Sequence, residues 1–170
     1  RGKSVIPGAV AALEALHEKN VPYVFVTNGG GVTEAAKAAS LSLLLGSNVS
    51  EDEVLLSHTP YQDLARQYVG KRVLVLGSPG CESVATGYGF TDVVTCRQLL
   101  ERDPGAFSQP LTAVTTADTA TNTTNTATDT AAESGQLLCH AAFILGDPLD
   151  WALEIQMLSD QLRPLPLSAS

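Results

Sequence analysis

Thr27, Asn28 and three successive glycines, Gly29, Gly30 and Gly31, close the stretch "VPYVFVTNGGG" at residues 21–31. A hydroxyl, an amide and a bare backbone at the mouth of a run of β-formers make a set of hydrogen-bond donors. A Thr hydroxyl donates to a phosphoryl oxygen, and glycines let successive backbone N–H groups approach an anion. A helix that follows adds the positive end of its dipole. The same residues also make an ordinary tight turn between strand and helix. No Gly-Lys-Ser/Thr follows, so this is not a P-loop, and the spacing fails for GxGxxG. On local chemistry alone both readings stand, a phosphate site and a turn.

The other residues with chemical potential read as structural. His17 falls on a predicted helix and is expected in solvent. His58 precedes Thr59 and Pro60 at a predicted helix start, where a local hydrogen bond is expected. Cys139 and His140 are adjacent, yet together with Cys81 and Cys96 they lack the ligand spacing of a zinc site. The odd number of cysteines and the absence of CxxC point to buried thiols rather than a disulfide framework. Asp147 and Asp150 in "LGDPLD" precede an amphipathic helix and are expected to cap it. Asn48 and Asn122 head glycosylation sequons, which matter only in a secreted protein.

The elements that must position these residues follow from periodicity. Val10, Leu13 and Leu16 recur at helical spacing after Pro7, with Asn20 as the stop. Residues 21–27 form a short, nearly continuous apolar strand, as buried parallel strands read. A second helix follows, with Thr33 as cap and Gly46 as end. Ser50 with Glu53 makes a capping box. "HTPYQDLARQYVG" reads as a helix capped by Thr59, with Pro60 at its first position and Gly70 as its stop. "KRVLVLG" and "FTDVVT" read as strands, each followed by a helix, and "HAAFILGD" as a later strand. In the last helix Trp151, Ile155, Leu158 and Leu162 share a face, which is expected to be core. Strands alternating with helices through short loops define an α/β fold.

Between residues 112 and 134 lie ten threonines, and no Leu, Ile or aromatic residue. Such a tract cannot bury enough apolar surface to offset its ordering entropy, so a disordered loop insertion is expected. Over the whole chain of 170 residues, 44% is hydrophobic and 16% charged, which is globular. The formal charge of −8 and the scattered Lys and Arg exclude a nucleic-acid surface. No apolar run reaches the roughly 18 residues of a membrane span. The chain opens with "RGKSVIPG", lacking Met and any signal-peptide pattern, and closes with "RPLPLSAS", like the start of a strand. Both ends are expected to be cut from a longer protein.

The stretch "VIPGAVAALEALHEKNVPYVFVTNGGG" resembles the haloacid dehalogenase-like hydrolase superfamily in its NagD-like, class IIA branch. The combination of "RGKSVIP", "LLSHTPYQDL" and "LGDPLDW" is most similar to the branch of the cat-eye-syndrome critical region protein five. The resemblance implies a partial Rossmann-like core at residues 1–48 and an inserted α/β cap at residues 49–163. Residues 164–170 would begin the strand returning to the core. It implies that Thr27 and Asn28 are the family's second motif, Thr27 contacting a phosphoryl oxygen, with Gly29, Gly30 and Gly31 at the phosphate. In the family an Asp of the first motif attacks phosphorus, a second Asp exchanges protons, and Mg²⁺ neutralises the phosphoryl charge. This chain matches neither the first motif nor the metal-binding acids, so the parent would use Mg²⁺ and this chain would hold no metal. The implied partner is a phosphorylated small molecule, with a homodimer through the cap. The implied location is the mitochondrion, with the cytoplasm as alternative. Three classes remain open: a fragment of a phosphatase-like hydrolase, a non-catalytic relative that binds a phosphometabolite, and an oligomerisation module.

Overall fold

The computed structural model describes residues 4–107 and 138–162. The Thr-rich tract and the expected return strand at residues 164–170 lie outside them. The chain is mixed α/β, with two sheets in which every pair of neighbouring strands is parallel.

The first sheet pairs β1 (Phe25–Thr27) with β2 (Val54–Leu56), joined by helix α2 (Glu34–Leu45). Thr33 caps α2 by accepting from the Ala36 N–H at 3.2 Å, and Gly46 ends it with a left-handed φ of 67°. Ala38 of α2 packs on Val49, Val54 and Leu56 in a small core. Helix α1 (Ala9–Glu18) precedes this unit and buries no residue. β1 is shorter than the strand expected at residues 21–27, because its partner offers only three residues. β2 was not expected at all. Backbone hydrogen bonds tie Val54–Leu56 to β1.

The second sheet has the order β4–β3–β5, from β3 (Arg72–Leu76), β4 (Asp92–Thr95) and β5 (Ala141–Ile144). Val73 to Leu76 are all buried, because both faces of the central strand are covered. Alternation sends Val73 and Val75 to one face, against Cys81, Val84 and Ala85 of α3 (Cys81–Tyr88) and against Phe90 and Phe143. Leu74 and Leu76 point the other way, to Leu99 of α4 (Cys96–Arg102) and to Leu153 and Met157 of α5 (Trp151–Leu162).

Two elements depart from the sequence reading. "HTPYQDLARQYVG" forms two 3-10 segments, Thr59–Asp63 and Ala65–Tyr68, instead of one α-helix. Thr59 is not their cap. Its hydroxyl accepts the Leu56 N–H at 2.8 Å and donates to Glu34 at 2.6 Å. Helix α5 buries Leu153 and Met157, and of the expected stripe Leu158 packs against the same cluster, whereas Trp151, Ile155 and Leu162 are 52%, 58% and 74% exposed. The helix carries two apolar stripes, and the sheet takes the one that faces Leu74 and Leu76.

Candidate functional site

The carboxyl ends of β1, β3 and β5 meet around residues 29–31, the position where open parallel sheets bind ligands. Thr27 is the last residue of β1, and its Oγ1 accepts the Gly29 N–H at 3.1 Å. Accepting leaves the hydroxyl its own proton to donate outward. Gly31 is buried, at φ 76°, and its N–H donates to the Leu145 carbonyl at 3.0 Å. A Cβ on Gly31 would overlap Ser78 Oγ, and one on Gly30 would overlap the Leu145 carbonyl oxygen. These two glycines therefore let the loop of the first sheet lie directly on the end of the second. Asn28 and Gly29 are exposed, and the N–H of Gly30 has no acceptor among the described residues. The loop thus presents the Thr27 hydroxyl, the Asn28 amide and one backbone N–H as donors.

Behind the loop stands a polar cluster that the sequence did not announce. The Glu34 carboxylate, at the first turn of α2, receives the Thr59 hydroxyl at 2.6 Å and the Tyr88 hydroxyl at 2.5 Å on the same Oε1. Tyr88 O lies 2.7 Å from His58 Nδ1. His58 is completely buried, and its Nε2 has no hydrogen-bond partner among the described residues. Burial opposes the charge on Glu34, but the two donated hydroxyls, its own main chain and His58 outweigh it, and the carboxyl lies below its ordinary range. Burial pushes His58 below its ordinary value, against Glu34 and the main chain at Val32. Burial and the Glu34 hydrogen bond push the Tyr88 phenol up. The expected local hydrogen bond of His58 is replaced by this long-range one, because the 3-10 turn after β2 aims the ring at α3.

Beside the loop, at the carboxyl ends of β3 and β4, opens a cleft of about 160 Å³. Ser78, Glu82, Thr95, Arg97, Asp150 and Glu154 line it. Ser78 touches both cleft and loop, so the two are contiguous. Burial raises the Glu154 carboxyl, although the Cys96 thiol donates to it at 3.5 Å. Asp150 caps α5, accepting the Leu153 N–H at 3.1 Å as the sequence leads one to expect. Cys81 and Cys96 are buried, and burial pushes both thiols up, away from the reactive thiolate.

The described residues do not fit Mg²⁺. Mg²⁺ is bound through carboxylates, and Glu34 Oε1, at the first turn of α2, is already held by two hydroxyls. No group of three His, Cys, Asp or Glu among them is placed to hold a metal.

Sequence reasoning reached Thr27 to Gly31 but missed Glu34, Tyr88, Ser78 and Glu154. The one local signal was the acid in the first turn of α2; nothing links Glu34 to a tyrosine 54 positions away.

The family model described as haloacid dehalogenase-like hydrolase matches residues 1–91. Over 165 residues, 96% of this chain, the sequence is 35% identical to a mitochondrial hydrolase of Saccharomyces cerevisiae, covering 44% of that protein. Over 96 residues, 55% of this chain, it is 38% identical to a Schizosaccharomyces pombe protein named cardiolipin synthase (CMP-forming) / mitochondrial hydrolase fusion protein, covering 16% of it. The structure of NagD from E. coli K-12 matches with a TM-score of 0.45 and 24% identity, covering 56% of this chain and 40% of that one. The chain thus spans less than half the length of the curated relatives it matches.

Proposed function

We propose, from the premise that this chain belongs to the haloacid dehalogenase-like hydrolase family, that it grips the substrate of a phosphomonoester hydrolase within a longer NagD-like polypeptide. The observation that carries this reading is the Thr27 hydroxyl. It stands at the carboxyl end of a parallel strand with its proton free, beside an exposed amide and an unaccepted N–H. Three such donors on neighbouring residues suit a phosphoryl group and stabilise the charge its oxygens gather in the transition state. Thr27 is not the nucleophile, since no base lies within hydrogen-bond reach of its hydroxyl among the described residues and an unactivated hydroxyl is weak. The attacking carboxylate and the Mg²⁺ site belong, on this reading, to other parts of the protein. The cleft beside Ser78 receives the organic part of the substrate, which is polar given its lining. The names of the two yeast relatives favour a mitochondrial location.

The test is hydrolysis of small phosphomonoesters by the longer protein. Turnover should depend on Mg²⁺ and vanish with a chelator. Thr27→Ala should lower kcat by about tenfold to a thousandfold, the loss of one oriented donor, while Thr27→Ser stays near the parent. An unaffected Thr27→Ala enzyme returns the loop to an ordinary turn.

A second reading, assembly of two copies through the second unit, draws on the exposed Trp151, Ile155 and Leu162 of α5. Sedimentation of the protein with Trp151→Ser and Ile155→Ser checks it. A dimer that persists unchanged removes α5 from the interface.

A further inference from the structure

The second sheet is bare along one side. Among the described residues β5 pairs with β3 alone, so its outer edge has no strand partner. An edge strand leaves a row of N–H and C=O groups unpaired. Between β5 and α5 lies a shallow groove of about 40 Å³, lined chiefly by Leu76, Ile144, Trp151, Ile155 and Leu158, with Glu154 as its polar member. Ile144, Trp151 and Ile155 are exposed there.

The course of the chain says what fills it. All pairs in this sheet are parallel, so every step from strand to strand is a crossover. The step from β3 to β4 carries α3 on the face of Val73 and Val75. The step from β4 runs back across β3 to β5 and carries α4 on the opposite face, with Leu74 and Leu76. Direction and face reverse together, so both steps have the same hand, the one that strand twist favours. Helix α5 lies on the α4 face, through Leu153 and Met157. A further step of that hand on that face continues in the direction from β4 to β5, and lands outside β5. Helix α5 also ends in the right place. The Cys139 N–H donates to Gln161 Oε1 at 2.9 Å, so the end of α5 lies at the amino end of β5, where a parallel neighbour starts.

We propose that the polypeptide following α5, from residue 163 onward, adds a fourth strand parallel to β5 along its free edge and packs apolar side chains into the groove of Ile144, Trp151 and Ile155. The chain returns to the first unit only after that strand. A direct return would leave both the edge and the groove to water. The carboxyl end of the added strand emerges beside that of β5, on the side where the Leu145 carbonyl holds the Gly31 N–H. This inference takes only the longer polypeptide from the proposed function, and none of its chemistry.

The experiment uses the longer protein and reads amide exchange and hydroxyl-radical labelling, neither of which depends on turnover. Exchange over Ala141–Ile144 should be as slow as over the central Val73–Leu76. Labelling should spare Trp151 and Ile155 as it spares Leu153. Both results should survive dilution. Ending the chain at Leu162 should speed exchange over Ala141–Ile144 by about tenfold or more, as the edge opens to water. Fast exchange there in the longer protein, ready labelling of Ile155, or exchange that stays slow in the shortened chain overturns the proposal. Protection that is lost on dilution gives the groove to a second copy and overturns it as well. If the shortened chain fails to fold, Ile155→Asp in the longer protein takes its place. Faster exchange over β5 against an unchanged β3 is then expected, and unchanged exchange over β5 removes the fourth strand.

Discussion

Tyr88, at the end of α3, donates its hydroxyl to Glu34, at the start of α2, over 2.5 Å. One hydrogen bond thereby ties the unit built on β1 and β2 to the unit built on β3, β4 and β5. Both partners are only half-buried, so water competes if the bond breaks. Tyr88→Phe removes the donor and also strips His58 Nδ1 of its hydrogen-bond partner, stranding a buried polar group. The expected destabilisation is about 1–3 kcal/mol. In a double-mutant cycle with Glu34→Gln, urea unfolding should give a coupling of about 0.5–3 kcal/mol. Additive effects would mean that the contact contributes nothing of its own.

Acid should weaken the fold in two steps. His58 lies below its ordinary value of 6.5 in the fold, so the unfolded chain takes up that proton first. Its stabilising share is complete above 6.5 and is lost as pH falls towards the folded value. Glu34, also depressed, repeats the pattern from 4.5 downwards. The urea midpoint, followed from pH 7.5 to 3.5, should drop in both windows. His58→Asn should abolish the upper drop and leave the lower one.

The three glycines should differ sharply under alanine substitution. A methyl group on Gly29 meets only Thr27, at an ordinary 3.5 Å, and should cost little. On Gly30 it drives into the Leu145 carbonyl oxygen, part of a backbone that cannot step aside. Gly30→Ala should therefore destabilise by about 1–3 kcal/mol or more, as overpacking does, and should expose the Gly31 amide to exchange. Gly31→Ala adds a left-handed φ to its overlap with Ser78. Thermal melts of the three variants rank them. Equal melting for Gly29→Ala and Gly30→Ala would mean that the loop does not rest on β5.

Helix α5 offers the clearest contrast between its two stripes. Met157→Ala and Leu153→Ala empty the space beside Leu74 and should each cost about 2–5 kcal/mol. Ile155→Ala, on the exposed stripe, should stay within about 0.5 kcal/mol. Chemical denaturation separates the two, and comparable losses would restore Ile155 to the core.

The fold was legible wherever a run of residues had one environment. "KRVLVLG" is buried on both faces and looks so, and Thr33, Gly46, Ser50 and Asp150 announce helix ends by local chemistry. Val54–Leu56 was missed because three apolar residues behind a capping box give no period to read. The α5 stripe was misread at Trp151, Ile155 and Leu162, though not at Leu158, because both faces of the helix are apolar and only the sheet decides between them. Thr27 and its glycines could be found from residue type, although part of the reason for the glycines, the approach of Leu145, is not local. His58, Glu34 and Tyr88 are brought together by the packing of two units, and no spacing along the chain foreshadows that.

The parallel pairing of β3 with β5 also bears on kinetics. β3, α3 and β4 are consecutive, and Val73–Val93 is closed by a short crossover. Val73 must also find Ala141, across the helix α4 and the whole Thr-rich stretch. Closing that large ring costs chain entropy before any contact rewards it, and such pairings form late. Substitutions between β3 and β4 should chiefly slow refolding, and those on β5, such as Phe143→Leu, should chiefly quicken unfolding. Stopped-flow measurements that found Phe143 already engaged at the barrier would reverse this order. Because β5 is also the strand whose end receives Gly31, the glycine loop would gain its seat only in the final event of folding.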